Sequence, residues 1–399
     1  MITVKEAEKI ILDHLYQPGM EYVPLISSEG RILQEELIAD RPFPPFDRVS
    51  MDGIAIQYQA FASGQRTFEI AGLSPAGTSQ GNLLDPSKCF EVMTGAIAPF
   101  GTDTVIKYED LQVENGKATI QLDHISEKQN VHQKGSDRSK GEVIVSKGIR
   151  ITPAEIGVAA SVGMDQLLVS TLPRVVIIST GDELIDVHES PLPHQIRKSN
   201  EYQIGAALAR HGVIAERLYV EDKESTVSQK IANCLKDYDV MILSGGVSAG
   251  KYDFIPKALE KNGVQKHFHR VAQRPGKPLW FGTSADQKCT VFALPGNPVS
   301  SFMCTTRYII PWLQKSLNLR NQVAFAVLRE DYTFKPDLTY FLQVRTEINR
   351  DGVICAYPET GGGSGDLANL VLADSFLELP QGRQTFNAGE SFPFYRFRN

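Results

Sequence analysis

The chain has 399 residues, too many for one ordinary hydrophobic core, so we expect about two to four domains. Its 42% hydrophobic and 22% charged residues are normal for a soluble globular protein. The formal net charge of −6 excludes the overall basic character that favours nucleic-acid binding, so any anion site must be a local basic patch.

The cysteines and the apolar runs exclude further classes of protein. Five cysteines are scattered along the chain with no C-x-x-C spacing, which argues against a disulfide framework or a zinc site, and we interpret them as buried thiols. The opening MITVKEAEKIILDHL lacks the apolar segment of a signal peptide, and no run of 18 apolar residues occurs. We therefore expect a soluble, cytoplasmic protein without membrane contact.

The first part of the chain predicts helices on either side of a mostly β segment. Residues 3–15 and 152–163 have helical patterns, each with a threonine positioned as N-cap. Between about 54 and 150, short β-prone stretches alternate with Gly, Pro, Asn and Asp turns. The proline-rich stretch 40–53 is predicted to be ordered but irregular, because proline lacks a backbone donor and restricts the residue before it.

From residue 173 the pattern changes to strands that alternate with helices. The predicted strands are RVVIIST, AERLYV, VMIL, VQKHFHRV, PLWFG and TVFAL, and the predicted helices are NEYQIGAALARHG, STVSQKIANCLK, YDFIPKALEKNG and PVSSFMCTTRYIIPWLQK. This alternation predicts a mostly parallel sheet covered on both faces, which binds ligands at the carboxyl ends of its strands. From about 318 the chain returns to short strands, which predict a small β domain.

Polar loops follow five of the predicted strands, and parallel strands would bring these loops to one edge of the sheet. The loops are Ser179–Leu184, Glu221–Ser225, Ser244–Asp253, Gln273–Pro278 and Leu294–Ser300. They contain glycines that let a ligand approach the backbone, basic side chains and carboxylates. These residues are Gly245, Gly246 and Gly250, then Arg274 and Lys277, then Asp182, Glu183, Asp222 and Asp253. Carboxylates beside an anion site repel the anion unless a cation lies between them, so Mg²⁺ is the obvious candidate.

Plainer interpretations compete with this site. Each carboxylate or glycine taken alone is explained as a helix cap or a turn, and five such loops together are harder to explain in that way. The stretch from Gly245 to Lys251 matches G-x-x-x-x-G-K, but Tyr252 replaces the Ser or Thr of a P-loop, which disfavours a nucleoside-triphosphatase without excluding it. His267 and His269 could form a metal pair, although ordinary strand histidines are the simpler interpretation.

The loops, taken together, resemble the MoeA family of molybdopterin molybdenumtransferases, or molybdenum insertases, which includes the C-terminal domain of gephyrin. The resemblance covers essentially the whole chain. Its blocks occur in family order and are PPFDRVSMDGIAI, VMTGAIAPFGTDTVI, STGDEL, LSGGVSAGKYDF, VAQRPGKPLWFG and LPGNPVSSF.

The resemblance implies a reaction in molybdenum cofactor biosynthesis. Family members insert molybdate into adenylylated molybdopterin and cleave the adenylate in a Mg²⁺-dependent step, which gives molybdenum cofactor and AMP. A molybdopterin adenylyltransferase acts upstream, and factors that mature molybdoenzymes act downstream. The resemblance also implies a homodimer with a site near its interface.

The resemblance also assigns residues by motif match. It implies catalytic roles for Asp253, Ser248, Asp52 and Glu183, and a metal site of Asp253, Glu183 and Asp222. It implies substrate contacts by Gly245, Gly246, Gly250, Arg274, Lys277, Thr94, Asp137, Pro295, Pro298 and Ser364.

The fold that the resemblance implies is α/β plus β in several domains. Residues 1–40 with 140–172 would form the helical first domain, and 41–139 a mostly β second domain. Residues 173–317 would form a three-layer α/β molybdopterin-binding domain, and 318–399 a small barrel-like β domain.

Three departures from the family pattern affect substrate detail. Arg274 takes a place where lysine is common, VHQKGSD lacks the usual arginine-rich stretch, and Lys198 stands where an acidic residue is common. The altered VHQKGSD keeps a second hypothesis open, namely a molybdopterin-binding scaffold without turnover.

Overall fold

The computed structural model describes residues 1–221, 223–246, 255–319 and 323–398. Its first 172 residues contain three helices and twelve strands. These elements are α1 (Val4–Leu12), β1 (Met20–Pro24), β2 (Leu37–Ile38), β3 (Arg48–Val49), β4 (Gly53–Ile56), α2 (Tyr58–Ala62), β5 (Thr67–Ser74), β6 (Lys88–Val92), β7 (Thr104–Lys107), β8 (Leu111–Glu114), β9 (Lys117–Ile120), β10 (Val131–His132), β11 (Val143–Val145), α3 (Pro153–Ser161) and β12 (Gln166–Ser170).

Both predicted helix starts are confirmed by their caps. The Thr3 hydroxyl accepts a hydrogen bond from the Glu6 backbone N–H, and the Glu6 carboxylate accepts one from the Thr3 N–H. Thr152 and Glu155 form the same capping box at α3. Each box satisfies backbone donors that have no partner within the helix. Helix α1 ends at Leu12, earlier than predicted.

The mostly β character of the second segment is confirmed by a six-stranded sheet in the order β7-β4-β6-β5-β9-β8. Its core contains buried Ile54, Phe68 and Ile106. The short helix α2, which the β pattern does not predict, follows β4 directly. Strand pairs β1–β12, β2–β11 and β3–β10 are antiparallel, so the chain leaves this sheet alongside the segment by which it entered.

The next segment alternates strands and helices as the sequence predicts. Its elements are β13 (Val175–Thr180), β14 (Leu184–Ile185), β15 (Ile196–Arg197), α4 (Asn200–Ala209), β16 (Glu216–Val220), α5 (Glu224–Asp237), β17 (Val240–Ser244), α6 (Ile255–Lys261), β18 (Gln265–His269), β19 (Gln273–Arg274), β20 (Trp280–Thr283), β21 (Thr290–Leu294), α7 (Pro298–Cys304), a π-helical turn (Thr305–Ile309) and α8 (Ile310–Ser316).

The central sheet has the order β16-β13-β17-β21-β20-β18. The first four of these strands are parallel, and β20 is antiparallel to both of its neighbours, so β18 runs in the same direction as β21. Along β13, Val175 and Ile177 enter one apolar core while Val176 and Ile178 enter another. The mostly parallel sheet covered on both faces is therefore confirmed.

The four parallel strands end in register. Across the sheet, Tyr219 pairs with Ser179, Ser179 with Ser244, and Ser244 with Leu294. The loops that follow these strands therefore start from one row at the same edge of the sheet. The loop after β18 leaves the same edge because β18 has the same direction as β21.

The remaining segment closes into a barrel. Its strands are β22 (Ala324–Leu328), β23 (Tyr332–Thr333), β24 (Thr339–Ile348), β25 (Ile354–Pro358), β26 (Ser375–Leu379), β27 (Thr385–Phe386) and β28 (Ser391–Arg396). The circuit β24-β25-β22-β28-β26 returns to β24, so five strands form a closed ring with no unpaired edge. A short 3₁₀ helix, Leu367–Val371, lies between β25 and β26.

All five cysteines are free and buried, as the sequence predicts. Within the described ranges, no helix combines the length and the apolar character that a transmembrane span requires.

Buried Arg307 joins three distant parts of the chain. Its guanidinium binds the Glu8 carboxylate of α1 through two contacts of 3.0 Å and the Glu378 carboxylate of β26 at 2.9 Å. The Arg307 side chain is 4% exposed, and that of Glu378 is 14% exposed. Burial disfavours the charge, but Glu378 and Glu8 outweigh that effect and raise the pKa of Arg307 above its ordinary value.

We expect Arg307→Met to lower the free energy of unfolding by about 3 kcal/mol, because two partly buried carboxylates lose their cation. Both tryptophans, Trp280 and Trp312, lie in this central segment, so urea unfolding followed by tryptophan fluorescence measures the effect. The control Arg174→Met breaks an exposed pair with Asp239 and should cost less than about 1 kcal/mol. Equal losses in the two variants would show that the buried pairs do not hold these segments together.

Candidate functional site

Gly245 and Gly246 lie at the carboxyl end of β17 in a conformation that other residues rarely adopt, with φ of 104° and 64°. A Cβ atom on Gly245 would lie 2.8 Å from the Thr180 carbonyl oxygen, and one on Gly246 would lie 2.8 Å from the Ile255 Cδ1 atom. Both glycines are therefore required by close packing as well as by backbone conformation. They leave an opening beside the ends of β13 and β17.

Asn200, the first residue of α4, joins two of the converging loops. Its Nδ2 atom donates to the Ser244 hydroxyl at 2.9 Å and to the Gly296 carbonyl at 2.8 Å. Since a carbonyl can only accept, these bonds also fix the orientation of the amide. Asn200 therefore holds the glycine loop after β17 beside the loop after β21.

Two buried oxygen atoms at this edge have no hydrogen-bond partner in the described part of the chain. They are Thr180 Oγ1 and Asn200 Oδ1. The Thr180 oxygen lies beside both glycines, since Cβ atoms on Gly245 and Gly246 would be 3.6 and 3.3 Å from it. Buried polar atoms without partners are rare in proteins, so these two indicate a place for a polar ligand or water.

Glu183 turns back over the end of β13. A Cβ atom on Gly181 would lie 2.6 and 2.8 Å from the two Glu183 carboxylate oxygens, and the φ of Gly181 is 143°. The Tyr219 hydroxyl donates to the Gly181 carbonyl at 3.3 Å. A tight turn therefore places an exposed carboxylate next to the glycine-lined opening.

Lys198 stabilises the acidic side of this edge. Its ammonium lies 2.8 Å from Asp186 and 4.8 Å from the centre of the Tyr219 ring, and its side chain is 8% exposed. Burial lowers the pKa of Lys198, but its hydrogen bond to Asp186 and the charges of Asp186 and Glu201 outweigh burial, so the net shift is upward. Lys198, whose role the sequence did not indicate, is thus a paired structural cation.

The C-terminal segment contributes Ser364 to the same edge. The Asn297 amide donates to the Ser364 hydroxyl at 2.9 Å, and the Val299 N–H donates to the Ser364 carbonyl at 3.2 Å. Asn297 lies between the predicted site residues Pro295 and Pro298, at the start of α7. This is the arrangement that brings Ser364, distant in sequence, to the loop after β21.

Arg274 and Lys277 lie exposed in the loop after β18. Buried Gln273 anchors this loop, since its Nε2 atom donates to the Gly276 carbonyl at 3.0 Å and its Oε1 atom accepts from Tyr308 at 2.5 Å. A Cβ atom on Gly276 would lie 2.6 Å from the Cys304 Sγ atom of α7. The loop is therefore packed firmly against α7 while its two cations face outward.

Asp52 and Thr94 form a pair in the second segment. The Asp52 Oδ1 atom accepts from the Thr94 backbone N–H at 2.6 Å and from the Thr94 hydroxyl at 2.7 Å. The backbone bond, followed by the hydroxyl bond, lowers the pKa of Asp52 below its ordinary value. Asp52 is therefore held as an exposed carboxylate.

Asp137 belongs to a polar chain in the same segment. The His132 Nε2 atom lies 2.8 Å from Asp137 Oδ1, and the His132 Nδ1 atom lies 3.2 Å from Arg48 Nη2. Arginine can only donate, so Nδ1 accepts and the Nε2–H donates to Asp137. The histidine of VHQKGSD thus orients Asp137.

The structure gathers the expected residues into two groups. Glu183, Gly245, Gly246, Arg274, Lys277, Pro295, Pro298 and Ser364 lie on loops at the carboxyl edge of the central sheet. Asp52, Thr94 and Asp137 lie on the second segment, and within the described residues no hydrogen bond or ion pair joins them to the central sheet. Asp222, Ser248, Gly250 and Asp253 lie outside the described residues, as does Lys251.

His267 has a structural environment. Its ring centre lies 3.9 Å from that of His14, and its Nε2 atom lies 2.9 Å from the Thr283 hydroxyl oxygen. Within the described ranges, no group of three His, Cys, Asp or Glu side chains could hold a metal ion.

Three family models match successive parts of the chain. The MoeA N-terminal region (domain I and II) matches residues 2–163, a probable molybdopterin binding domain matches 176–315, and the MoeA C-terminal region (domain IV) matches 326–397. A relative from Synechocystis sp., named molybdopterin molybdenumtransferase, is 38% identical over 401 residues, which covers 99% of this chain and 100% of the relative. The chain belongs to the MoeA family.

Other members of the MoeA family match over similar lengths. A molybdopterin molybdenumtransferase from Bacillus subtilis is 31% identical over 403 residues, covering 98% of this chain and 93% of the relative. Two crystal structures of the molybdopterin biosynthesis MoeA protein from Pyrococcus horikoshii match with TM-scores of 0.83 and 0.81, each at 26% identity and 100% coverage of both chains. The multidomain α/β plus β fold is that of this family.

In this MoeA family member, sequence reasoning missed Thr180, Ser244 and Asn200. The first two are the last residues of β13 and β17, and a polar residue that ends an apolar strand beside a glycine loop is a signal that could have found them. Asn200 directly precedes a helical pattern, where a capping role is the usual interpretation. Only the fold shows that its amide crosses between two loops.

We expect Thr94→Val to raise the pKa of Asp52, because the hydroxyl donor is lost while the backbone donor remains. The lowered pKa stabilises the folded state above the unfolded pKa of Asp52, and that contribution disappears as the pH falls through the folded pKa. In Thr94→Val this loss should begin at higher pH. Carbon-13 NMR titration of the aspartate carboxyl groups measures the shift. Thr94→Ser, which keeps the hydroxyl, should titrate as the parent does, and an unchanged pKa in Thr94→Val would contradict this assignment.

Proposed function

We propose that this protein is a molybdopterin molybdenumtransferase that inserts molybdate into adenylylated molybdopterin, cleaves the adenylate, and releases molybdenum cofactor and AMP. The observation that carries the proposal is the glycine-lined edge of the central sheet, in a chain that matches enzymes of that name from end to end. Both the adenylate and molybdate are anions, and this edge combines close access to backbone groups with nearby cations.

Gly245 and Gly246 would let the adenylate phosphate approach the backbone after β17, and Ser248 and Gly250 would continue the same loop. Thr180 Oγ1 and Asn200 Oδ1, buried and without partners in the described residues, would bond polar groups of the substrate. Arg274 and Lys277 would bind molybdate or the pterin phosphate, with arginine offering a planar pair of donors. Pro295, Pro298 and Ser364 would shape the opposite wall.

Mg²⁺ would be held by Glu183 together with Asp222 and Asp253. The fit rests on donor chemistry, because the Glu183 carboxylate and the unpaired Thr180 hydroxyl are oxygen ligands of the kind that Mg²⁺ prefers. When bound, the ion would supply a Lewis acid that neutralises charge on the phosphate. Lys198, already paired with Asp186, would limit the repulsion between the carboxylates and the anionic substrate.

Asp52, Thr94 and Asp137 would complete the site from the second domain of another copy in a homodimer. Their support is preorganisation, because Thr94 holds Asp52 as a carboxylate and His132 orients Asp137. We propose the four-domain division at 1–40 with 140–172, 41–139, 173–317 and 318–399. We also propose a cytoplasmic protein that receives its substrate from a molybdopterin adenylyltransferase and passes its product to molybdoenzyme maturation factors.

The proposal is tested by incubating the purified protein with adenylylated molybdopterin, Mg²⁺ and molybdate, and measuring AMP release and cofactor formation together. We expect both products in equal amounts, with AMP release dependent on Mg²⁺. Tight pterin binding without AMP release would instead favour a scaffold. ATP hydrolysis without any pterin would favour a nucleoside-triphosphatase.

We expect Glu183→Gln to slow AMP release by at least about 100-fold, because loss of a charged group at a transition-state charge typically costs that much. Asp253→Ala should abolish AMP release. The matched control Glu260→Gln changes an exposed glutamate paired with Lys266 on the same domain and should leave the rate unchanged. Normal AMP release by Asp253→Ala or Glu183→Gln, in a protein with unchanged thermal unfolding, would show that these carboxylates are not part of the site.

A further inference from the structure

A second cavity, of about 700 Å³, lies between the central α/β segment and the C-terminal barrel. Its walls come from α4, the helices after β21, and the end of β28, with Arg150 added from the N-terminal part of the chain. Pockets of this volume at junctions between domains commonly hold small organic ligands.

This cavity is separate from the glycine-lined edge. Asn200 at the start of α4 bonds Ser244 and Gly296 at that edge, whereas Arg210 directly follows the last residue of α4 and lines the cavity. Helix α4 has 10 residues, and at about 1.5 Å rise per residue it separates its two ends by about 15 Å. A ligand in the cavity would therefore be distinct from the substrate at the edge.

The cavity is strongly basic although the chain as a whole is acidic. Four arginines and one histidine line it, namely Arg150, Arg210, Arg396, Arg398 and His211, and no carboxylate residue is found among its described lining residues. Burial first, and then the charges of Arg150 and Arg210, lower the pKa of His211 below its ordinary value. The histidine therefore senses a positive field from its neighbours.

Three of these arginines have donors to spare. Within the described ranges, Arg150, Arg396 and Arg398 form no ion pair. Arg396 donates to the Thr346 hydroxyl at 3.1 Å and Arg398 to the Leu370 carbonyl at 3.2 Å, so each is held in place by a neutral acceptor. A guanidinium has five N–H donors, which leaves donors on both residues for an anion.

The rest of the lining suits a planar ring. Phe302 and Phe397 meet edge to face, with ring centres 5.1 Å apart. Gln203 also lines the cavity, and its Oε1 atom is buried without a partner in the described part of the chain. A carboxamide of this kind bonds donor and acceptor groups on the edge of a nucleobase.

We propose that this cavity binds a nucleoside monophosphate, with the phosphate held by Arg396, Arg398 and Arg150 and the base placed between the phenylalanine rings and Gln203. Arginine pairs well with phosphate because its planar fork makes two parallel hydrogen bonds. The bound nucleotide would join the α/β segment to the barrel, since residues of both line the cavity.

The test is calorimetric titration of the full-length protein with AMP, GMP, CMP and UMP, and with adenosine and inorganic phosphate as fragments. We expect at least one nucleotide to bind more tightly than either fragment. In the double variant Arg396→Met with Arg398→Met, its Kd should rise at least about tenfold, as expected for the loss of charge-assisted hydrogen bonds. The Glu183→Gln variant should retain this binding, which separates the cavity from the edge where AMP is the proposed product.

The control Lys117→Met removes one exposed positive charge from the second segment and should leave the Kd unchanged. Thermal unfolding checks that the arginine variants remain folded. The proposal is overturned if no nucleotide binds, if the arginine variant binds as the parent does, or if inorganic phosphate alone binds as tightly as the nucleotide.

Discussion

The parallel register of four strands is the constraint on which the site depends. Tyr219, Ser179, Ser244 and Leu294 form one row across the sheet, so the loops that follow them start side by side. Without that register, residues from four separate stretches of sequence would not share one opening. The apolar cores on both faces hold the register, because each strand sends alternate residues into each core. The site is therefore a consequence of how the sheet is packed.

Close contacts then decide the chemistry of this edge. Glycine is required where Gly245 approaches Thr180 and where Gly246 approaches Ile255, and the space left beside them contains an unpaired hydroxyl. Carboxylates and cations flank that space on neighbouring loops. Lys198 is committed to Asp186, while Arg274 and Lys277 remain exposed. An edge with this balance favours an anion accompanied by a divalent cation, as expected for a MoeA family member.

Periodicity predicted the sheet and its flanking helices well, because buried strands such as RVVIIST and capped helices such as α3 carry strong local signals. It did not predict α2 or the π-helical turn, since packing against neighbours decides such short elements. The polar loops were found from their position after strands. The roles of Asn200 and Lys198 were not, because their partners are distant in sequence. The grouping of Asp52 with Thr94 followed from the family motif alone.

The central claim is that the carboxyl edge of the sheet holds the anionic substrate. Anomalous diffraction at the molybdenum edge, from crystals of the protein with AMP, Mg²⁺ and molybdate, tests it most directly. The account predicts molybdenum beside Arg274 and Lys277, with the AMP phosphate against Gly245 and Gly246. Molybdenum and phosphate bound away from these loops, with the glycine-lined opening filled only by water, would contradict it.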